Sequence, residues 1–153
     1  MKKIKTIRIL LIIWTAIIFM NSLMTADISS EQSGFVTNLA LSIFGFFGFQ
    51  PDAITLQSII RMTAHAVEFM ILGVLIHLDR KTIDYPFYRM FMFGLCIALT
   101  DEIIQIFVPG RAFELIDLFI DTLGLTLGIY LVLYVFRIQK RKRRQSLDGN
   151  HES

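Results

Sequence analysis

Apolar residues gather in four long windows. A helix that spans a bilayer needs about 20 mostly apolar residues. The first window runs from about Ile7 to Met24 and carries no charge after Arg8. The second runs from about Ile59 to Leu78, the third from about Phe87 to Val108, and the fourth from about Phe113 to Phe136. A fifth apolar stretch, Gly34 to Phe49, is shorter and follows a polar loop. In it Gly34, Thr37, Asn38, Ser42 and Gly45 repeat at three and four residues, a single small-polar stripe, and the other faces carry Phe35, Phe44, Phe46, Phe47 and Phe49. That pattern fits a helix lying at a membrane surface or across the end of a bundle. The expected fold is an all-α membrane protein, a bundle of four transmembrane helices with an extra interfacial or re-entrant helix after the first span. Residues 1–136 would form the transmembrane domain and 137–153 a basic cytoplasmic tail.

Composition agrees with the pattern. Of the 153 residues, 54% are hydrophobic and 18% charged, and the mean hydropathy is +0.60. Soluble domains carry roughly 25% charged residues, so an ordinary soluble domain is excluded, as is intrinsic disorder. Cys96 is the single cysteine, which rules out an intrachain disulfide and any Cys-based metal motif.

The net charge of +2 conceals segregation. Lys2, Lys3, Lys5 and Arg8 gather at the N-terminus, ahead of the uncharged run of the first window, and no base lies between Thr25 and Ser58. Arg80, Lys81 and Arg89 lie in the loop and helix start between windows two and three, and Arg111 alone lies in the turn between three and four. Six bases, Arg137 and Lys140 to Arg144, follow the last window, and Arg61 opens the second. Loops rich in Lys and Arg stay in the cytoplasm. Both termini are therefore expected there, with an even number of spans, which keeps the fifth stretch on the outer side. The first window is expected to be an uncleaved anchor, because its apolar run is long for a signal and no small-x-small cleavage site follows. The basic tail is a topology signal that also suits acidic headgroups. No motif supports nucleic-acid binding.

The charges inside the windows carry the candidate chemistry. Arg61, His65 and Glu68, spaced by four and three, fall within about 60° on one helical face. Asp101 and Gln105 share a face of the third window, with Glu102 beside them, and Glu114, Asp117 and Asp121 repeat at three and four in the fourth. Gly124 and Gly128 extend that last stripe, and such a pair lets a neighbouring helix approach closely. With both termini inside, all these groups lie in the outer half, as do Asn21 and Ser22, while the inner halves are apolar or small. His77 is expected at the inner interface and His151 in the solvated tail.

A central Asp or Arg costs roughly 2.5–3.5 kcal/mol on insertion scales. Several together demand that they meet one another or water, so a polar cavity opening outward is expected, with Arg61 and Arg111 each paired to carboxylates. Three readings follow: a structural network tying the helices together, a ligand or catalytic site at the outer leaflet, or a metal or proton path. One His with scattered acids, even with His65 and Glu68 at ligand spacing, is a weak metal signal, so neither a metal nor a cofactor is expected. No Gly-rich phosphate loop, recognised Ser/His/Asp order or internal repeat occurs. Pro109 and Gly110 end the third window and turn the chain back.

The residues resemble the VanZ-like family of small bacterial membrane proteins. The resemblance rests on the stretch from Arg61 through His65 and Glu68 to Phe69, similar to the family's His-x-x-Glu helix. It rests also on Asp101, Glu102 and Gln105 leading to Pro109-Gly110-Arg111, the family's most specific motif, and on Asp117, Asp121, Gly124 and Gly128. The polar end of the first window at Asn21 and Ser22 adds to it, although Asn21 stands where a second Ser is common. The resemblance implies a four-span bundle in the bacterial cell membrane, in a family named for a member that raises teicoplanin resistance. The ligand-binding set expected is Arg61, His65, Glu68, Asp101, Glu102, Gln105, Arg111, Asp117 and Asp121. The leading expectation is a protein whose outer-leaflet site meets a membrane lipid or a lipid-linked cell-wall precursor. The alternatives are an intramembrane enzyme on a lipid-linked substrate, with His65 or Glu68 as base and Asp101 or Glu102 as acid, and a structural subunit.

Overall fold

The computed structural model describes residues 2–80 and 86–148. Lys81 and His151 lie outside the described residues. Among these residues the chain forms five α-helices and no strand: α1 (Lys2–Ser22), α2 (Ala26–Phe46), α3 (Ala53–Arg80), α4 (Phe87–Ile106) and α5 (Leu115–Asp148). Three contain stretches long and apolar enough to cross a membrane, Lys5–Ser22, Ala53–Asp79 and Leu115–Arg143. The helix α4 is long enough, since 20 residues rise about 30 Å, but it carries Arg89, Asp101 and Glu102 within that length.

Several expected boundaries are corrected. The polar loop before the fifth stretch is itself helical. The helix begins at Ala26 rather than Gly34 and ends at Phe46 rather than Phe49. Its first turns read Ala-Asp-Ile-Ser-Ser-Glu-Gln-Ser, with no apolar stripe to announce a helix. They fold because Ser30, Ser33 and Thr37, three and four apart, face α3. The Gln57 side-chain amide donates to the Ser30 carbonyl at 2.9 Å and to Ser33 Oγ at 3.0 Å, and Thr37 is buried. The second span's helix starts at Ala53, not near Ile59. Asp52 caps it, accepting the Thr55 N–H and the Thr55 hydroxyl at 2.8 Å each. Those bonds hold the Asp52 carboxyl below its ordinary value, so the cap is lost only as the pH falls through that lowered value. The fourth window's helix does not stop at Phe136. It continues through the basic run to Asp148, because Lys, Arg and Gln are good helix formers.

The long helices α3 and α5 make the central pair. A Cβ on Gly124 would collide with the Ala66 carbonyl, and one on Gly128 with the Met70 carbonyl. The two backbones therefore touch along a seam only glycine can line. Around it, Phe69, Leu72, Ile76, Leu125 and Ile129 are fully buried, joined by Ile18 from α1 and Ala98 from α4. The outside is apolar as well. Ile12, Met20, Phe93, Leu127 and Tyr134 are exposed, while Asp101, Glu102 and Asp121 are almost fully enclosed. That inverted distribution is the one a hydrocarbon environment favours.

Candidate functional site

The polar residues of α1, α3, α4 and α5 converge at one end of the bundle. From α1, the Asn21 amide donates to Glu68 Oε1 at 2.6 Å, and the Trp14 indole N–H donates to the Glu68 backbone carbonyl at 2.9 Å. The Ser22 hydroxyl donates to Asp101 Oδ1. Across α4, one turn on, the Gln105 amide donates to Asp101 Oδ2 at 3.2 Å. From α3, His65 Nδ1 lies 3.4 Å from Asp121 Oδ1 of α5. Each long-range contact joins two helices, so the network fixes the register of the bundle.

Not every expected residue faces the same space. Asn21, Ser22, Arg61, His65, Glu68, Asp101 and Arg111 line a cavity of about 190 Å³. A second space of about 50 Å³ is lined by Arg61, His65, Gln105, Arg111, Glu114 and Asp117. Arg61, His65 and Arg111 border both. Asp121 lies behind His65, with no exposed surface. Glu102 lines neither space. One residue along from Asp101, it sits about 100° round the helix and accepts the Glu114 backbone N–H at 2.9 Å. It thus satisfies one of the free N–H groups at the start of α5.

Ion pairing also departs from expectation. Arg61 does meet a carboxylate, Glu114, at 3.8 Å, with both side chains nearly half exposed. Arg111 forms no ion pair among the described residues. Its position is set by the turn: Gly110 takes φ 77°, and a Cβ there would crowd the Ala26 side chain. The Pro109 carbonyl accepts the Ala26 N–H at 3.4 Å, so the α4–α5 turn is docked on the start of α2. Burial, and then the neighbouring Arg61, pulls the Arg111 guanidinium below its ordinary value. Two cations are thus held close together at the mouth of an acid-lined cavity.

Two features escaped the sequence reading. Ser29, Gln32 and Ser33 of α2 form a wall of the larger cavity; the only signal was a polar cluster, which resembles an ordinary loop. At the opposite end, Asp79 is buried and lies 3.3 Å from Arg8. Beside that end His77, expected at the interface, is buried and stacks on Phe136 at 6.3 Å. The signal for the pair was depth alone: Arg8 near the start of one helix and Asp79 near the end of an antiparallel one.

Residues 7–137 match the sequence profile of the VanZ/LLP1 family. The chain belongs to the VanZ/LLP1 family. No curated protein matches it, and no solved structure does. Membership rests on the same stretch that forms the bundle and its polar end. It names no ligand and no reaction, which leaves chemistry to the geometry.

Proposed function

We propose that this VanZ/LLP1 protein is a four-span bacterial cell-membrane protein whose outer-leaflet cavity binds an anionic lipid headgroup or a lipid-linked cell-wall precursor. In this reading α1, α3, α4 and α5 cross the bilayer, α2 lies across the outer mouth, and both termini are cytoplasmic. Two of the three charges of α4 do not oppose its crossing, because Asp101 and Glu102 are enclosed by neighbouring helices, and the third, Arg89, lies in its first turn, at the cytoplasmic side in this reading. The observation that carries the proposal is the pair Arg61 and Arg111 at the mouth of the larger cavity. Guanidinium groups match phosphate oxygens geometrically and by charge. The exposed Phe46, Phe47 and Phe49 at the end of α2 suit an interfacial position. Engagement of an envelope lipid at this site would alter sensitivity to teicoplanin, which acts outside the membrane.

The ligand class is tested with the purified full chain in micelles, offered phosphatidylglycerol or phosphatidylcholine and read by native mass spectrometry. Retention of phosphatidylglycerol well above phosphatidylcholine is expected, and equal retention of both would overturn the proposal. Sidedness has its own test. With Cys96 replaced by Ser, a cysteine introduced at Gln50 should react with a membrane-impermeant maleimide in intact cells. Reaction only after permeabilisation would place the cavity on the wrong side.

A further inference from the structure

We infer that His65, Asp101 and Asp121 form a binding site for a divalent transition-metal ion, with Zn²⁺ the best fit, at the floor of the headgroup cavity. One ligand atom from each of the three residues lies within 4.8 Å of the others. They come from α3, α4 and α5, three different helices, so the juxtaposition is a product of the fold. It is not the His65–Glu68 pair whose spacing along one helix suggested ligation, because Glu68 stands outside the trio and takes the Asn21 amide.

A second observation points to a ligand. Asp121 has no exposed surface, and neither of its carboxylate oxygens has a hydrogen-bond partner. His65 Nδ1 is likewise buried without one. Buried carboxylates ordinarily accept hydrogen bonds or bind metal, and the ion-pair contact of Asp121 is with His65, whose own Nδ1 lacks a hydrogen bond. The 3.4 Å between His65 Nδ1 and Asp121 Oδ1 lies beyond a normal charge-assisted hydrogen bond. Two ligands about 2.1 Å from a tetrahedral ion stand about 3.4 Å apart. The pair therefore already has ligand-to-ligand spacing, and an Asp101 oxygen, oriented by the bonds its carboxylate accepts from Ser22 and Gln105, lies within 4.8 Å of both.

The donor set selects the ion. One imidazole and two carboxylates suit a borderline divalent ion, and the affinity order places Zn²⁺ above Mn²⁺. Hard Mg²⁺ prefers oxygens and keeps its waters. Three protein ligands leave a fourth position open, as in zinc sites that receive a substrate oxygen. His65 and Asp101 both line the larger cavity, so that position faces the space below Arg61 and Arg111. An anionic headgroup oxygen would fill it. The ion also supplies positive charge where several acids meet. This inference rests on the outer-leaflet reading for its ligand but not for its ion.

The test is isothermal titration of ZnCl₂ into the full chain in micelles, stripped by chelator and free of affinity tags. No lipid ligand is added, so failure here is distinct from failure of headgroup binding. One Zn²⁺ per chain is expected, with Mn²⁺ weaker and Mg²⁺ weaker still. Changing a partner outside the ligand set typically costs 10–100-fold in metal affinity. Loss of a ligand in His65→Gln or Asp121→Asn should cost at least about that, while His151→Gln in the tail should bind as the native chain does. Absence of Zn²⁺ binding, or binding unchanged in both ligand variants, would overturn the site. Should those variants fail to fold, Co²⁺ added to the native chain decides. Intense visible bands of a four- or five-coordinate ion support the site, and the pale spectrum of a six-coordinate aqua ion refutes it.

Discussion

Gly128→Leu is expected to remove the folded protein from membranes. A side chain at this position starts against the Met70 carbonyl, and the next obstacle is the backbone nitrogen of Val74. Overfilling a packed core costs typically 1–3 kcal/mol when side chains can shift. Here the obstacle is the backbone of α3, so the upper end of that range, about 3 kcal/mol, is the minimum expected. That is roughly a hundredfold in the ratio of folded to unfolded protein. The damage would spread beyond the seam. Gly128, Gly124 and Asp121 lie on one stripe of α5, so parting the helices also separates Asp121 from His65. Gly45→Leu is the matched control, because a Cβ there meets nothing within 4 Å. Fluorescence-detected gel filtration of solubilised membranes reads both. A sharp monodisperse peak of normal height for Gly128→Leu would show that α3 and α5 do not meet along this line.

How far the sequence foretold this arrangement varies with the physics behind each element. The α3–α5 seam was legible because close approach leaves a mark in composition, two glycines four residues apart. The convergence at one end was legible too. Helical periodicity gives the face, topology gives the depth, and isolated charges are too costly in hydrocarbon to remain unmatched. The first half of α2 was hidden because its contacts with α3 are hydrogen bonds that the Ser30 carbonyl and the Ser33 hydroxyl accept from Gln57, not an apolar stripe. Hydropathy registers only the second kind. Glu102 was misplaced for another reason. Spacing puts it near Asp101, but its neighbour is decided by where the α4–α5 turn brings the Glu114 N–H, and that is tertiary. The free state of Arg111 was hidden as well. Charge counting predicts an ion-pair partner for every base, whereas this guanidinium shares its cavities with Asp101 and Asp117 without an ion pair among the described residues.

Replacing both Arg61 and Arg111 with alanine is expected to abolish the preference for an anionic headgroup. A hydrogen bond to a charged group contributes about 1.5–3 kcal/mol, so each arginine should account for roughly 10- to 100-fold in affinity. The two losses should not simply add, because both guanidiniums would grip one phosphate. They also differ in character. Arg61 already shares its charge with Glu114 at 3.8 Å, so part of its loss is offset when that competition ends. Arg111 has no such partner, and its single loss should be the larger. Glu114→Gln gives the opposite sign: with Arg61 released, headgroup affinity should rise. Lysine at either position keeps the charge but not the bidentate geometry, so intermediate affinity is expected. Salt should weaken binding in the native chain and have little effect in the double variant, since the mouth is solvent-accessible and screening acts there. Titrating a short-chain phosphatidylglycerol into the micellar protein at two ionic strengths measures all of these. If the double variant binds within threefold of the native chain, the headgroup is held elsewhere. If Arg111→Ala binds as tightly as Arg61→Ala, the idea that the unpaired cation leads the contact fails.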